Sequence, residues 1–446
     1  MTEFDLVLRA PRAITSAGEV PATIAVADGR IVAVEPYESS LRGQRTVELD
    51  DDLVLLPGLV DTHVHVNEPG RTEWEGFATA TRAAAAGGIT TVVDMPLNSI
   101  PATVDVQALE TKRTAAEGQC FVDVGFWGGA VPGNIDDLRK LHDAGVFGVK
   151  CFLLDSGVPE FGSLGPAELE EYLGVLRGFE GLLLVHAEDG VAIDAAPAPD
   201  GRSYRGYLAS RPREAEDLAV ARVVEAARRT GGRAHVVHLS SADALPLIRN
   251  AQRDGVRITA ETCPHYLTFT AEEIPDGATQ YKCCPPIREA DNQELLWRGL
   301  TEGTIDCVVS DHSPCTPELK RLDDGDFGLA WGGIAGLQVG LSAVWTGARR
   351  RGCTLAEVAR WMAEGPARLA GLQRKGRIAV GYDADFCAFA PDAELVVDAG
   401  TLRHKNPITP YAGRALAGVV RTTWLRGVDV RDDEAPRGEL LSRGEA

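Results

Sequence analysis

Short apolar segments rich in valine and isoleucine alternate with longer stretches of helical composition through the middle of the chain. The apolar segments are Leu59–His65, Thr91–Met95, Phe121–Trp127, Val146–Phe152, Leu182–Ala187, Ala234–Ser240, Arg257–Thr262 and Ile305–Asp311. Nearly continuous apolar strands indicate a parallel sheet that is covered on both faces. Eight units of strand followed by helix predict an α/β fold, a (β/α)8 TIM barrel.

Both ends of the chain have a different pattern, in which short predicted strands are separated by turns. These strands are 3–9, 22–28, 30–35 and 46–56 at one end, and Ala384–Phe389, Leu395–Val397, Val419–Arg426 and Val428–Val430 at the other. Because the two ends of a barrel lie near one another, we predict that these strands form one small β-sandwich domain. The predicted domains are 1–55 with 376–446, and 56–375. Two independent β extensions are the alternative.

Composition and charge narrow the choice of partners. The 446 residues are 44% hydrophobic, which is enough for a large buried core. A formal net charge of -20 repels phosphate backbones and anionic lipid, so we expect no nucleic-acid and no membrane partner. The nine cysteines are scattered, without a CxxC pair, and the first ten residues do not resemble a signal peptide. We therefore expect a cytoplasmic protein in a reducing compartment.

Two histidines end the first apolar segment. His63 and His65 are two residues apart, so in a strand their side chains point to the same face. They also lie at the carboxyl end of a predicted barrel strand, where barrel active sites are built. Two neutral imidazoles on one face can bind a metal ion through their lone pairs. A pair of surface histidines is the alternative interpretation.

Three further strand ends carry residues of the same chemical kind. His186 ends the fifth segment, His238 lies at the end of the sixth, and Asp311 ends the eighth. We predict that all three join the first two histidines, with Asp311 both binding metal and transferring protons. On a strand, His235 faces away from His238, so we leave it outside the site. Two other histidines, in a predicted helix and a predicted loop, are expected to be solvated: His142 and His404.

Lys150 ends the fourth segment and does not fit this set in its protonated form. The ordinary interpretation is a lysine whose charged end reaches solvent. An ammonium group repels metal ions, but a neutral lysine amine can react with CO2. The resulting carbamate is an anion with two oxygen atoms that can bridge two cations.

Several motifs in the chain resemble a known family. The segment Pro57–His65 is similar to the opening motif of the amidohydrolase superfamily, and the others are similar to its cyclic-amidase branch, within it to the allantoinases. They are Glu68–Gly76, Met95–Asn98, Pro101–Val104, Lys150–Phe152, Cys263–Tyr266, Pro285–Arg288, Ser310–Cys315, Trp331–Gln338 and Gly376–Ala379. They run in family order through most of the chain, so together they are highly specific.

The resemblance implies a barrel with a small β-sandwich domain and a centre of two divalent metal ions, usually zinc. One ion would bind His63, His65 and Asp311, and the other His186 and His238. An N6-carboxylysine at Lys150 and a hydroxide would bridge the two ions. The six implied ligands are the residues found at the strand ends: His63, His65, Lys150, His186, His238 and Asp311.

The resemblance also implies a reaction. The bridging hydroxide attacks a ring carbonyl, and Asp311 passes the proton to the departing ring nitrogen. Backbone groups near Cys284 and Gly333 would hold the ring amides. Relatives commonly have Cys-Ser-Pro-Pro where this chain has Cys-Cys-Pro-Pro, so the role of Cys284 depends on whether a hydroxyl is needed there. Allantoin is the implied substrate, and a homo-oligomer, a homotetramer, is the implied assembly.

Supporting roles follow from position in the chain. Asp61 and Glu188 are plausible carboxylates behind the ligands. The stretches Asp155–Gly165 and Lys320–Gly333 are long and contain glycine, so we expect them to close over the substrate.

The alternatives are a dihydroorotase, a hydantoinase or dihydropyrimidinase, and a non-catalytic scaffold that resembles dihydropyrimidinase. Dihydroorotases place an arginine two residues after the HxH motif, where this chain has Asn67, which suits a neutral substrate such as allantoin. Arg71 and Arg288 are the arginines that could still supply a charge. Dihydropyrimidinases carry a tyrosine where this chain has Asp155. A scaffold would have lost its ligands, and here all six positions are filled.

Overall fold

The computed structural model describes residues 4–199, 201–431 and 435–444 and has a mixed α/β fold. Its strands are β1 (Phe4–Thr15), β2 (Gly18–Ala27), β3 (Arg30–Pro36), β4 (Gly43–Glu48), β5 (Val54–Pro57), β6 (Leu59–Val64), β7 (Ile89–Asp94), β8 (Asp123–Phe126), β9 (Gly128–Gly129), β10 (Val149–Phe152), β11 (Leu182–His186), β12 (Arg233–Val236), β13 (Ile258–Thr262), β14 (Cys307–Val308), β15 (Phe386–Val396), β16 (Ala415–Leu425) and β17 (Val428–Asp429).

The helices lie mainly between the strands of the middle region. They are α1 (Phe77–Ala86), α2 (Val106–Ala116), α3 (Leu138–Asp143), α4 (Pro166–Arg177), α5 (Gly190–Ala195), α6 (Tyr204–Ala209), α7 (Arg213–Thr230), α8 (Leu245–Arg253), α9 (Pro264–Thr268), α10 (Ala290–Thr301), α11 (Pro317–Lys320), α12 (Gly340–Arg350), α13 (Leu355–Ala359) and α14 (Gly365–Ala370). Within the described part of the chain, each of these helices is too short or too polar to cross a membrane.

The middle strands pair in parallel and in chain order. One sheet has the order β6-β7-β8, and a second has the order β14-β13-β12-β11-β10-β9. Every residue of β6 and of β11 is buried, as expected for apolar strands covered on both faces. A parallel bridge between Val64 and His312 links the segment after β14 back to β6. The carboxyl ends of the first and last strands are therefore neighbours.

The sequence of α7 explains where this helix begins, where it ends and which of its faces is buried. Pro212 precedes it, acidic residues occupy its first turn, and Gly231 ends it in the left-handed conformation with φ 68°. Its alanine and valine residues at helical spacing are buried, and the helix packs on α4. Glu216 in the first turn accepts hydrogen bonds from the backbone N–H groups of Ser240 and Ser241, which follow β12.

Strands from both ends of the chain form one eight-stranded sheet. Its order is β17-β16-β15-β5-β1-β2-β3, with β4 paired to β1. Strand β5, which directly precedes β6, pairs antiparallel with β15 and parallel with β1. The two ends of the chain are thus joined next to the first of the middle strands.

A buried group of charges joins this sheet to the middle strands, and we call it the junction cluster. It consists of Asp123, Lys375, Asp383, Asp385 and Arg426. Lys375 Nζ lies 2.6 Å from Asp123 Oδ2 and 2.8 Å from Asp385 Oδ2. Burial lowers the pKa of Lys375, but the surrounding carboxylates outweigh it and raise that pKa well above the ordinary value.

Candidate metal centre

The six predicted metal ligands come from the carboxyl ends of five of the middle strands or from the residues just beyond them. His63 lies within β6, Lys150 within β10, and His186 is the last residue of β11. His65, His238 and Asp311 follow the ends of β6, β12 and β14. The structure brings all six together as one buried group, which we call the ligand cluster.

The imidazole rings of the ligand cluster are close to one another. The ring centroids of His63 and His65 are 5.4 Å apart, and those of His63 and His238 are also 5.4 Å apart. The centroids of His186 and His238 are 4.6 Å apart. The His186 ring also stacks on Phe152 at 4.6 Å, which restricts its orientation.

Asp311 and Lys150 lie among these rings. Asp311 Oδ1 is 3.1 Å from His63 Nε2 and 3.4 Å from His65 Nε2, and it accepts a hydrogen bond of 2.9 Å from Ser313 Oγ. Lys150 Nζ is 3.2 Å from His63 Nε2. Asp311 and His238 both have left-handed backbones, with φ 44° and φ 39°. Such strained positions persist where the surrounding structure fixes them, often at functional sites.

The donor atoms of this cluster fit a divalent metal ion. One ligand atom each of His63, His238 and Asp311 lies within 4.8 Å of the other two. The Nδ1 atoms of His65 and His238 are buried and make no hydrogen bond within the described residues. A buried polar atom without a partner is costly, and a metal ion is one partner that an imidazole lone pair can take.

Burial weakens proton binding by the basic groups of the cluster. It lowers the pKa of His65 to about 4, and it also lowers the pKa values of His186 and His238. Burial lowers the pKa of Lys150 to about 8, against the opposing effect of Asp311. Burial raises the pKa of Asp311, but the neighbouring histidines outweigh it and bring that pKa well below its usual range. At neutral pH the histidines named here are neutral and the aspartate is charged.

Three buried carboxylates form hydrogen bonds to histidines of the ligand cluster. Asp61 accepts from the backbone N–H of His63 at 3.1 Å, and Glu188 accepts from His186 Nε2 at 2.7 Å. The sequence suggests both of these carboxylates, but it does not suggest Glu261. Glu261 Oε1 lies 2.5 Å from His63 Nδ1, and Glu261 Oε2 lies 2.9 Å from His235 Nε2. The only sequence signal for Glu261 is a charged residue inside the buried strand β13.

A cavity of about 280 Å³ opens onto the ligand cluster. Five of the six residues of the ligand cluster line this cavity. Three loops also line it, through residues 155–157, 282–284 and 330–333. Cys284 and Gly333 line this cavity, as the sequence predicts for substrate contacts. Cys284 Sγ lies 3.2 Å from Tyr207 Oη. At Gly333, a Cβ atom would meet Ser313 O at 2.2 Å, so this close approach requires glycine.

Asn67, which the sequence predicts as a substrate contact, is not among the described residues that line the cavity. Its side chain is buried, and neither its oxygen nor its nitrogen has a hydrogen-bond partner within the described residues. The strand β6 ends at Val64, and Asn67 has a left-handed φ of 65°. Strand alternation therefore does not carry the side-chain direction of His65 on to this residue.

The arginine that lines the cavity is Arg211, whereas the sequence leaves Arg71 and Arg288 as the candidates for that role. Arg71 binds Asn98 O and Glu160, and Arg288 binds Glu216 at 2.5 Å, and neither lines the cavity. Arg211 does line it, and its Nε and Nη2 donate to the two oxygens of Glu188 at 3.0 and 2.6 Å. No sequence pattern indicates Arg211, because its position depends on the loop before α7.

The expectation that His404 is solvated is wrong. Its side chain is buried, and its ring lies 5.6 Å from that of His312. The loop around it docks on the middle region, where the Lys405 N–H donates to Glu75. His142 lies in α3, as predicted, but it is half-buried against Phe179 at 4.6 Å.

The chain is similar to known proteins in sequence and in fold. The family model "Amidohydrolase family" matches residues 54–430. The chain is 58% identical to the allantoinase of Streptomyces avermitilis, over 99% of this chain and 100% of that protein. It is 46% identical to the allantoinase of Saccharomyces cerevisiae, over 94% and 91% of the two chains. Among solved structures, it is similar to the L-hydantoinase (dihydropyrimidinase) of Arthrobacter aurescens, with 32% identity, a TM-score of 0.91 and coverage of 99% and 98%.

Proposed function

The chain belongs to the amidohydrolase family, and we propose that it is an allantoinase, which hydrolyses one amide bond of allantoin to give allantoate. The observation that supports allantoin as the substrate is the 58% identity to an allantoinase, over 99% of this chain and 100% of that protein. The hydantoinase that shares the fold is 32% identical, so hydantoin-like rings are the second candidate substrate.

We propose that the middle strands close into a (β/α)8 barrel, spanning 56–375, and that 1–55 with 376–446 form the small β-sandwich domain. The parallel order of β6 to β14 and the bridge between Val64 and His312 support the barrel. The shared sheet of β1 to β5 with β15 to β17 supports the second domain. A homotetramer and a cytoplasmic location remain predictions.

The ligand cluster is proposed to hold two divalent metal ions, with zinc the expected metal. His63, His65 and Asp311 would hold one ion, and His186 and His238 the other. Bound there, two such ions would polarise a ring carbonyl and lower the pKa of a water molecule. The buried histidine nitrogens without partners and the mixed imidazole and carboxylate donors support this assignment.

Lys150 is proposed to be carboxylated. Its amine adds to the carbon of CO2, a C–N bond forms, and one proton leaves to solvent. The product is an anion, which suits a cluster proposed to hold two cations better than an ammonium group does. The same change turns a side chain that repels cations into one that binds them.

Asp311 is proposed to carry the proton of the reaction. Its carboxylate accepts a proton from the attacking water as the new C–O bond forms at the ring carbonyl. It then delivers that proton to the ring nitrogen as the C–N bond breaks. The hydrogen bond from Ser313 at 2.9 Å orients the carboxylate for both transfers. Backbone groups near Cys284 and Gly333 would position the ring amides, since both residues line the cavity.

The test is a set of turnover assays on zinc-supplied protein with allantoin, hydantoin, dihydrouracil and dihydroorotate. We expect the highest kcat/KM for allantoin. A value of kcat/KM for hydantoin or dihydroorotate that equals or exceeds it would contradict the proposed substrate but not the family. Absence of metal together with absence of turnover on all four would contradict the proposed centre.

A further inference from the structure

One fully buried carboxylate contacts both halves of the proposed metal centre. Glu261 lies in β13 with its side chain completely buried. Its Oε1 is 2.5 Å from His63 Nδ1 and accepts from the backbone N–H of His238 at 3.2 Å. These two histidines are assigned to different metal ions, so the position of this single carboxylate affects both.

The contact with His63 determines which ring nitrogen can bind a metal. Because Glu261 accepts a hydrogen bond, His63 carries its proton on Nδ1 and its lone pair on Nε2. That Nε2 atom lies among Asp311 Oδ1 at 3.1 Å and Lys150 Nζ at 3.2 Å. A carboxylate behind a metal-binding histidine fixes its tautomer and its ring orientation, and raises its basicity.

The contact with His238 stabilises an unusual backbone. His238 has φ 39°, a conformation that residues with a side chain rarely adopt. Its N–H points to Glu261, and this bond holds the residue where its ring lies 4.6 Å from His186. Without the bond, the backbone at His238 would be freer to leave the left-handed region.

His235 holds Glu261 in turn. Its Nε2 is 2.9 Å from Glu261 Oε2, and its Nδ1 is 2.7 Å from Thr259 Oγ1. His235 and Thr259 are register partners in the parallel pair β12 and β13, so the sheet itself sets this contact. Both ring nitrogens of His235 are thus occupied by protein atoms, and this residue acts only through Glu261.

We propose that Glu261 is a positioning residue that aligns one histidine of each metal ion, and that His235 keeps Glu261 in place. The inference rests on the proposed metal centre. It predicts that metal affinity depends on a side chain that is itself not a ligand.

The test compares metal binding by the full-length wild type and the Glu261→Gln, Glu261→Asp and His235→Gln variants. Each metal-free protein is titrated with zinc against a chelator of known affinity, and bound zinc is counted by mass spectrometry. Cobalt-substituted samples report ligand geometry through their visible spectra. We expect Glu261→Gln to weaken zinc binding by about 10- to 100-fold, Glu261→Asp to recover part of the loss, and His235→Gln to show a smaller loss.

Glu216→Gln is the matched control. Glu216 is also a buried glutamate, paired with Arg288 and with Ser240 and Ser241, and it contacts none of the six ligands. We expect this control to lower the unfolding temperature of the metal-free protein but to leave zinc affinity and the cobalt spectrum unchanged. A merely structural role for Glu261 predicts the same behaviour in Glu261→Gln.

The possible results distinguish a failure of the proposed metal centre from a failure of the inference about Glu261. If the wild type binds no zinc at this cluster, the proposed centre itself is wrong. If the wild type binds two ions and Glu261→Gln binds them with unchanged affinity and spectrum, the inference is wrong and the centre stands. If Glu261→Gln does not fold, Glu261→Asp and His235→Gln decide, and wild-type zinc affinity in both would overturn the inference.

Discussion

Two buried lysines in this protein have opposite surroundings. Lys375 in the junction cluster lies within 3.0 Å of three aspartates, which raise its pKa well above the ordinary value against the effect of burial. Lys150 in the ligand cluster lies 3.2 Å from an imidazole nitrogen, and burial lowers its pKa to about 8. Lys375 is a buried charge that carboxylates balance, so it stabilises the fold. Lys150 lies among imidazoles, where its proposed carboxylation would turn it into a metal ligand.

The largest expected effect comes from Lys150→Ala. The variant should lose bound metal and turnover together, with a fall in turnover beyond the ~10²–10⁴ typical of removing a general acid or base. Short carboxylic acids added in solution should restore part of both, because they can take the place of the carbamate. Metal content and kcat with and without acetate check this. Full metal occupancy and normal turnover in the unsupplemented variant would show that Lys150 is not a ligand.

The second-largest expected loss of turnover is that of the Asp311→Asn variant. Asparagine cannot accept the proton of the attacking water, so turnover should fall by roughly 10²–10⁴ and zinc should bind more weakly. Asp306→Asn is the control, because Asp306 lies on the same segment and accepts only the N–H of Ala260 among the contacts described. Wild-type kcat in Asp311→Asn at full metal occupancy would exclude a proton-transfer role.

Lys375→Ala should behave in the opposite way to Lys150→Ala. Removing the cation leaves buried aspartates partly uncompensated, which costs about 3–5 kcal/mol of unfolding free energy. Zinc content and kcat of the folded fraction should not change, because the junction cluster makes no contact with the six ligands. Urea unfolding and metal analysis on the two lysine variants side by side check the contrast. Equal stability losses in both would remove the distinction between the clusters.

The sequence predicts that the six residues of the ligand cluster lie close together, because parallel strands end at the same edge of a sheet. His186, His238 and Asp311 are far apart in the chain, yet each lies at or just beyond a strand end. The supporting residues are harder to predict. Glu261 meets His63 across 198 positions of sequence, and nothing local to either residue indicates that contact.

The positions of side chains in the longer loops are the hardest to predict from the sequence. Asn67 follows the HxH motif by two positions, but the strand ends before it, so its side-chain direction is set by loop geometry. Arg211 and Lys282 reach the cavity because of how separate loops pack. His404 is buried because its loop docks on the region around Glu75, a tertiary contact that hydropathy does not reveal.

The smallest predicted effect concerns His404, a buried histidine outside both clusters. Burial lowers its pKa to about 4 in the folded protein, against 6.5 for the free side chain. Between these values the unfolded chain binds a proton that the folded protein does not, so stability falls as the pH falls from 6.5 towards 4. From pH 7 to pH 5, this single group costs about 2 kcal/mol of unfolding free energy. In metal-free protein, His404→Gln should reduce the loss of stability over that interval by about that amount, while His142→Gln should change it less because solvent reaches the half-buried His142 ring. Urea unfolding at the two pH values measures the difference, and an unchanged acid sensitivity in His404→Gln would show that His404 is protonated without cost.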